Sequence, residues 1–427
     1  MNSRLKAVVV TISACFAAVV LTGAMLVRSA PPDGAYRQLA VYTDVLARIK
    51  SDYVEEPNIA NVTLGALTGL LESIDPFASY LNAEQYKEYL KNHDAFRGSV
   101  GLSLSKRYGY IGVVDVVPGS PAAKAGLTTH DMIEAIKDVS TRDMPLAYAD
   151  LLLQGKPGTT VELSVLTMRQ PEPKKITLTR VALQYPPVTS KMLPDQIGYI
   201  EVESLVPGKA GEVATALAEL NKQDPKHFIL DLRHCSTGPP EEGLALANLF
   251  LDKGLLAYLQ GQRVPRRNFE ADPSKTASRL PLVVITNRGT AGGAEVAAAA
   301  LLDNKRAEVV GERTYGDAAL RRTLTMDDGS AIILSVAKYY SPGGKAIQDT
   351  AVTPSVPVAE LEPVEEFEEE NPPEPPTRPS EDNLLKKAVE VLLQGVPPTA
   401  KTPPETTRPA GVPREPPHMP PNIVRPK

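Results

Sequence analysis

The chain has 427 residues, a formal net charge of -5 and two cysteines, Cys15 and Cys235. That length is enough for two or three domains, and the slightly acidic balance excludes the basic surface by which nucleic-acid-binding proteins hold phosphates. Because Cys15 lies in an apolar N-terminal segment, no structural disulfide is expected. Proline is abundant, with 40 residues, and most of the excess follows Pro363, where the sequence has the composition of a tail.

The N-terminal segment is the first predicted element. Arg4 and Lys6 precede an uncharged run, from Ala7 to Val27, that is about as long as a membrane-spanning helix. The positive charge at its start predicts that the rest of the chain lies outside the cytoplasm, anchored to a bacterial-type inner membrane or in the periplasm. An uncleaved signal anchor over residues 1–30 is favoured over a cleaved signal peptide, because a small-residue cleavage site is poorly developed.

Residues 35–96 predict a helical arm. Apolar side chains recur at helical spacing from Tyr42 to Tyr53 and again from Leu64 to Leu71, and a third helix is predicted from Glu84 to Leu90. One interpretation of the arm is a cap that packs on the domains that follow.

Residues 97–184 predict a module of short strands. Pro118 and Gly119 begin a turn that leads into a short helix ended by Gly126, and the alternation of apolar residues from Val161 to Val165 is typical of a half-buried strand. These features resemble a PDZ domain of the bacterial protease type. The resemblance implies that the module binds the C-termini of peptides by adding them as a strand, with backbone amides around the terminal carboxylate.

The carboxylate loop of this module departs from the PDZ pattern. Ser99 stands where the family has its first glycine, and His130, interpreted as a surface turn residue, replaces another. Because backbone amides can still face a ligand, peptide binding and its loss both stay open. The residues predicted to hold a peptide are Ser99, Val100, Gly101 and Leu102.

The stretch from Leu282 to Gln348 defines the next domain, which spans residues 185–360. An apolar run at 282–286 predicts a buried strand, residues 289–293 form a small-residue turn, and an Ala-rich helix begins near Glu295. A strand, a tight glycine turn and a helix together present a nucleophile at the N-terminus of the helix, where backbone amides can stabilise an oxyanion.

This stretch resembles the core of the carboxyl-terminal processing peptidases, also called tail-specific proteases, which are serine peptidases with a Ser/Lys dyad. The framework residues that carry the resemblance are Ala294-Glu295, Arg306-Ala307, Val310-Gly311-Glu312, Thr314-Tyr315-Gly316 and Tyr339-Tyr340-Ser341-Pro342-Gly343. The resemblance implies a mixed α/β peptidase core behind the helical arm and the PDZ-like module. In that family the N-terminal arm can serve dimerisation, which is the alternative to a cap.

In the same alignment, the residues that form the catalytic dyad of the family are replaced. The family's nucleophilic serine falls on Gly292, its general-base lysine on Asp317, and its glutamine one turn further on Arg321. A glycine offers no hydroxyl, and without a nucleophile only the weak residual catalysis of an oxyanion hole would remain. We therefore predict a catalytically degenerate member that keeps the fold and binds peptide tails or partner proteins.

The oxyanion loop carries a further departure. The resemblance places two loop glycines of the family on Thr237 and Gly238, and the oxyanion position at the helix terminus on Gly293. One glycine is therefore lost, and prolines follow where a backbone amide could be needed. Asp231 and Arg233 match the family and are predicted to hold the end of their strand by buried pairing.

Two alternatives to a degenerate peptidase stay open. The first is an active serine-type peptidase with an improvised nucleophile, Thr290 or Cys235, whose sign would be a nearby lysine or histidine base. His234 and Cys235 are adjacent on an extended segment, so their side chains are expected to point to opposite faces. The second alternative is a PDZ adaptor in which the core is only a scaffold.

Residues 361–427 predict an acidic, Pro-rich tail with one amphipathic helix near 382–394. The whole chain is thus predicted to be an α/β multidomain protein with a signal anchor, a helical arm, a PDZ-like module, a mixed α/β peptidase core and this tail. No cofactor and no metal are expected. The predicted partners are protein or peptide C-termini, further copies of the chain or active relatives, and the membrane through the N-terminal segment, but no nucleic acid.

Overall fold

The computed structural model describes residues 34–92, 98–107, 109–129, 131–142, 144–167, 172–360 and 382–394. The predicted signal anchor, His130 and most of the Pro-rich tail lie outside these ranges. Across the described ranges, no helix combines the length and the apolar character that a membrane crossing requires. The predicted fold class is confirmed, because N-terminal helices precede a β-rich module and a mixed α/β core.

The helices of the described residues are α1 (Gly34–Asp52), α2 (Ile59–Glu72), α3 (Ala83–Asn92), α4 (Pro121–Lys124), α5 (Leu146–Leu153), α6 (Lys209–Asn221), α7 (Pro240–Asn248), α8 (Gly293–Asp303), α9 (Ile347–Thr350) and α10 (Asn383–Gln394). The strands are β1 (Ser79–Leu81), β2 (Leu102–Arg107), β3 (Tyr110–Val116), β4 (Met132–Ile136), β5 (Val139–Ser140), β6 (Thr160–Leu166), β7 (Lys174–Thr179), β8 (Thr189–Leu193), β9 (Ile197–Glu201), β10 (His227–Asp231), β11 (Leu255–Gln260), β12 (Arg267–Glu270), β13 (Leu282–Thr286), β14 (Ala307–Gly311), β15 (Ala319–Thr325), β16 (Ala331–Tyr340) and β17 (Val356–Pro357).

The helical arm consists of α1, α2 and α3, at the three places that apolar spacing predicts. Asn58 caps α2, since its side chain accepts a hydrogen bond from the Asn61 amide at 3.1 Å. Leu71 of α2 is buried, whereas Leu39 and Val41 of α1 are 58% and 56% exposed. Helix α2 therefore buries part of its apolar face, whereas the apolar side chains of α1 stay largely uncovered within the described chain; cap and dimerisation both stay predictions.

The PDZ-like module is an antiparallel sheet in the order β2-β3-β4-β6-β7, with β5 beside β4. Alternate strand residues point into its core, where Ile111, Ile133 and Leu163 are fully buried. Strand β2 lies at the edge of this sheet. Its outer backbone groups are therefore placed to pair with an added strand.

The core contains two further sheets. One has the order β17-β14-β13-β10-β9-β8, in which β9, β10, β13 and β14 run parallel. The other has the order β1-β16-β11-β12, with β15 beside β16. Every residue of β13 is buried, as expected for a parallel strand covered on both faces. Helices α6, α7 and α8 pack on one face of the parallel sheet, and α10 packs on the other.

Helices α7 and α8 cross in very close contact. A β carbon added to Gly243 of α7 would lie 1.9 Å from the carbonyl oxygen of Gly293, the first residue of α8. The two backbones therefore touch with no side chain between them, and this contact positions the N-terminus of α8.

Arg233 connects the end of β10 to the C-terminal helix. Its guanidinium pairs with Asp231 at 2.6 Å and with Asp382, just before α10, at 2.7 Å. Asp231 is 1% exposed and also accepts a hydrogen bond from the Tyr199 hydroxyl at 2.8 Å. The predicted buried pairing of Asp231 and Arg233 is confirmed, and it extends to the helix that follows the acidic tail.

Polar contacts also join the arm to both other modules. The Asp75 carboxylate accepts a hydrogen bond from the Ser335 amide of β16 at 3.0 Å. Lys106 of β2 pairs with Glu72, at the end of α2, at 3.3 Å, and the Lys106 side chain is only 5% exposed. The arm, the PDZ-like module and the core are thus in mutual contact.

Candidate active site

Gly292 lies at the turn between β13 and α8, where the sequence predicts the nucleophile position. Its backbone has φ 61° and ψ -122°, which strains a residue with a β carbon but not glycine. A β carbon added here would lie 3.4 Å from the Gly238 carbonyl oxygen and 3.8 Å from that of Asp317. The structure therefore brings these three predicted positions together, with room for a side chain that Gly292 does not have.

Asp317 and Arg321, which were predicted to stand at the positions of the family's lysine and glutamine, form an ion pair. The Arg321 guanidinium contacts the Asp317 carboxylate, and both side chains are 30% exposed. Arg321 also lies over the ring of Phe77, 4.5 Å from its centroid. A carboxylate paired with a guanidinium is not the neutral amine that takes the proton from serine in a Ser/Lys dyad.

Glu295 organises the backbone around this site. The carboxylate is fully buried. One of its oxygens accepts hydrogen bonds from the amides of Gly292 at 3.1 Å and Asp317 at 2.7 Å, and the other accepts from the Gly316 amide at 2.7 Å and from the Thr314 hydroxyl. Burial raises the pKa of Glu295 to about 7, and these donors oppose the rise. A single carboxylate therefore holds the segments that carry positions 292 and 317.

The loop after β10 contains the other oxyanion positions. The Thr237 carbonyl oxygen accepts a hydrogen bond from the Leu205 amide at 2.7 Å. Gly238 has φ 128°, and a β carbon there would lie 2.0 Å from the Leu205 carbonyl oxygen. A β carbon on Gly293 would lie 2.7 Å from the carbonyl oxygen of Pro239 in the same loop. The loop that carries Thr237 and Gly238 thus contacts Gly293, the first residue of α8, through Pro239.

The two candidate nucleophiles besides position 292 are fully buried. The Thr290 hydroxyl donates to the Leu232 carbonyl oxygen at 2.8 Å and accepts from the Asn287 amide at 3.0 Å. Burial raises the pKa of the Cys235 thiol, which disfavours the reactive thiolate. The His234 side chain is 45% exposed, so the two neighbours point to opposite faces, as predicted. Neither Thr290 nor Cys235 is placed to attack a substrate in this conformation.

Cys235 is expected to react with iodoacetamide at pH 8 at least about tenfold more slowly in the folded protein than in urea, because a rise of one pKa unit alone lowers the thiolate population tenfold. The rate is measured by mass spectrometry on the fragment that begins at Pro31, in which Cys235 is the remaining cysteine. Equal rates in the folded and unfolded states would contradict the burial and return the thiol to the list of candidate nucleophiles.

A cavity of about 400 Å³ lies between the PDZ-like module and the core. Its wall includes Ser99, Gly101, Leu102 and Ser103 from the carboxylate loop and β2, together with Thr237 of the core loop. The predicted peptide site is therefore bounded by the same loop that carries the oxyanion positions.

The prediction that Ser99 binds a peptide through its backbone amide requires a correction. The Ser99 amide is not available to a peptide, because it donates to the Val181 carbonyl oxygen at 2.9 Å. The Ser99 hydroxyl accepts instead from the Gly101 amide at 3.3 Å. The Val100 amide makes no hydrogen bond to any residue of the described ranges, but Val100 is fully buried and is not among the residues that line the cavity.

A polar cluster that no sequence pattern predicted lies between the PDZ-like module and the core. His234 Nδ1 lies 3.2 Å from one oxygen of Asp115, and the Ser236 hydroxyl donates to the other at 2.8 Å. Asp115 lies in β3 and is 3% exposed. The available signal was an aspartate within an apolar strand, since a buried carboxylate requires polar partners.

Comparisons with known proteins agree with this geometry. The sequence pattern of Peptidase family S41 matches residues 196–358, and that of a PDZ domain matches residues 112–167. The chain is 33% identical to the chloroplastic carboxyl-terminal-processing peptidase 2 of Arabidopsis thaliana, over 73% of this chain and 63% of that relative. It therefore spans less than two thirds of the length of this relative.

Two further similarities cover more of the matched protein. The carboxyl-terminal-processing protease of Synechocystis is 32% identical over 72% of this chain and 73% of its own length. The solved photosystem II D1 C-terminal processing protease superposes with a TM-score of 0.60 at 26% identity, over 75% of this chain and 92% of that chain. On these grounds the chain belongs to peptidase family S41, among the carboxyl-terminal-processing proteases.

Proposed function

We propose that this chain is a catalytically inactive member of its family that binds the C-termini of peptides or proteins outside the cytoplasm and does not cut them. The observation that carries the proposal is Gly292, which occupies the nucleophile position at the start of α8 without a hydroxyl. The ion pair of Asp317 and Arg321 supports it, because the base position is also unsuited to a Ser/Lys dyad.

Peptide binding is supported by the arrangement of the PDZ-like module. Strand β2 is an edge strand, and the cavity of about 400 Å³ beside it is lined by Ser99, Gly101 and Leu102 of the predicted peptide site. The basic residues before the apolar N-terminal segment support a position outside the cytoplasm, with residues 1–30 as an anchor. The division into arm, PDZ-like module, core and tail at residues 96, 184 and 360 is part of the same proposal.

The fragment that begins at Pro31 is expected not to cleave casein, whereas its triple variant Gly292→Ser, Asp317→Lys, Arg321→Gln is expected to cleave it. The variant restores the dyad on a backbone that Glu295 already holds in place. Its rate should exceed that of the natural sequence by about 10³-fold or more, a cautious fraction of the roughly 10⁶-fold loss that follows removal of a serine nucleophile. Release of peptides from labelled casein measures the rate.

The matched control is Gly292→Ala, Asp317→Lys, Arg321→Gln, which imposes the same backbone strain without a hydroxyl and should remain inactive. Cleavage by the natural sequence that disappears in a Thr290→Ala, Cys235→Ala variant would overturn the proposal and establish an improvised nucleophile. We do not expect that outcome, because Thr290 and Cys235 are both fully buried.

A further inference from the structure

A buried carboxylate of the PDZ-like module takes its partners from the core. Asp115 of β3 is 3% exposed, and its two oxygens contact His234 Nδ1 at 3.2 Å and the Ser236 hydroxyl at 2.8 Å. We call these three residues the clasp. Removing the loop from the module would break both contacts of the Asp115 carboxylate, and hydrogen bonds to a charged group are stronger than those between neutral groups. The clasp therefore favours the docked arrangement of module and core.

The clasp reaches the wall of the peptide cavity. The Ser236 hydroxyl lies 2.9 Å from that of Ser103 in β2. Ser103 and Thr237, the neighbour of Ser236, both line the cavity. The edge strand and Thr237 of the core loop thus both line the cavity, and the clasp joins the two segments that carry them.

We propose that the clasp of Asp115, His234 and Ser236 fixes the PDZ-like module on the core and thereby pre-forms the cavity that receives a peptide C-terminus. This inference rests on the proposed function of peptide binding. A preformed site loses less conformational entropy when it binds a peptide. The peptide affinity should therefore depend on the contacts within the clasp, although the peptide does not touch the clasp residues. His234 and Ser236 are positioning residues in this proposal.

The hydrogen bonds around His234 define its neutral form. The Asn287 side-chain oxygen accepts a hydrogen bond from the His234 backbone amide at 3.1 Å. The Asn287 side-chain nitrogen is therefore the donor, and it donates to Glu360 at 2.8 Å and to His234 Nε2 at 3.0 Å. Nε2 is then an acceptor, and Nδ1 carries the proton that faces Asp115. Every polar atom of the ring has a partner in this tautomer.

Protonation of His234 at Nε2 adds charge to the contact with Asp115 and removes the acceptor of the Asn287 side-chain N–H. Burial lowers the pKa of His234, but the hydrogen bond and charge of Asp115, with the charge of Glu360, outweigh burial and the opposing charge of Arg233, so the pKa is raised. A raised pKa in the docked state means that the added stability is fully present below about pH 6.5 and is lost as the pH rises through the raised value. Docking is therefore expected to be tighter under acidic conditions.

Hydrogen exchange tests the docking part on the full-length chain in detergent. The variant His234→Ala, Ser236→Ala should exchange at least about tenfold faster than the natural chain in β2 and in the loop after β10, with β6 inside the module unchanged. The natural chain should be more protected at about pH 6 than at pH 8, after correction for the intrinsic exchange rate, and the variant should lose this difference. Unchanged exchange in β2 and the loop would overturn the clasp.

Peptide affinity tests the cavity part on the same proteins. The probe is a fluorescently labelled ten-residue peptide ending in Val-Ala-Ala, and its Kd should rise about fivefold or more in the double variant. Asp138→Asn is the matched control, because this exposed carboxylate of the module pairs with exposed Lys175 and should change neither measurement. Faster exchange with an unchanged Kd would overturn the preformed cavity. A natural chain that does not bind the probe would count against the proposed function, and the exchange result would still decide the clasp.

Discussion

Replacement of Gly243 by alanine is expected to lower the free energy of unfolding by about 3 kcal/mol or more, the upper range for overpacking a buried contact. The added β carbon would lie 1.9 Å from the Gly293 carbonyl oxygen and 2.6 Å from its carbonyl carbon. Both atoms belong to the backbone, so no change of side-chain rotamer relieves the overlap, and α7 must move away from α8. Urea denaturation of the fragment from Pro31, followed by circular dichroism, measures the loss.

Gly211→Ala is the matched control for that variant. Gly211 also lies in a helix, α6, but nothing comes within 4 Å of the added β carbon. Alanine should therefore stabilise this helix by about 0.5–1 kcal/mol through its higher helix propensity. Similar losses at Gly211 and Gly243 would show that the close crossing of α7 and α8 does not govern the effect.

Asp231→Ala is expected to cost about 3–5 kcal/mol, as removal of one partner from a buried ion pair does. The substitution removes the acceptor of both the Tyr199 hydroxyl and the Arg233 guanidinium. Because Arg233 also holds Asp382 at the start of α10, the C-terminal helix should become more accessible to protease at the same time. Thermal unfolding and the time course of tryptic cleavage measure the two effects.

The comparison for Asp231 is an exposed pair in the same core. Asp252 and Arg279 form an ion pair with side chains 38% and 69% exposed, and Asp252→Ala should leave the thermal midpoint nearly unchanged because exposed pairs contribute little. A double variant Asp231→Ala, Arg233→Ala should lose less than the sum of the single losses, since the two residues share one interaction. Additive losses would contradict the role of the pair.

Periodicity in the sequence was sufficient to predict the elements that carry the site. The sequence pattern predicts three adjoining elements. They are the buried strand β13, the small-residue turn after it and the Ala-rich helix α8. The position of Asp317 beside Gly292 followed from the family resemblance rather than from spacing, because the two residues are joined through the hydrogen bonds of Glu295.

Periodicity in the sequence did not predict the contacts between modules. The partners of Asp115 lie 119 and 121 residues away in the chain, and no local spacing specifies a bond of that separation. The prediction that the Ser99 amide faces a ligand was wrong for the same reason. Its hydrogen-bond partner, Val181, belongs to a distant segment of the chain. Apolar spacing likewise predicted helix α1 correctly but carried no information on what covers it.

The backbone at Gly292 has a consequence for how such a protein changes over evolutionary time. With φ 61° and ψ -122°, any residue that carries a β carbon there stores about 1–3 kcal/mol of strain. An ancestor that exchanged a serine for glycine at this turn would have shed that strain together with the hydroxyl. The reverse path would be uphill at its first step, because a lone serine would restore the strain while Asp317 and Arg321 still lacked the base. Selection for stability alone would therefore oppose a single return from glycine to serine at position 292.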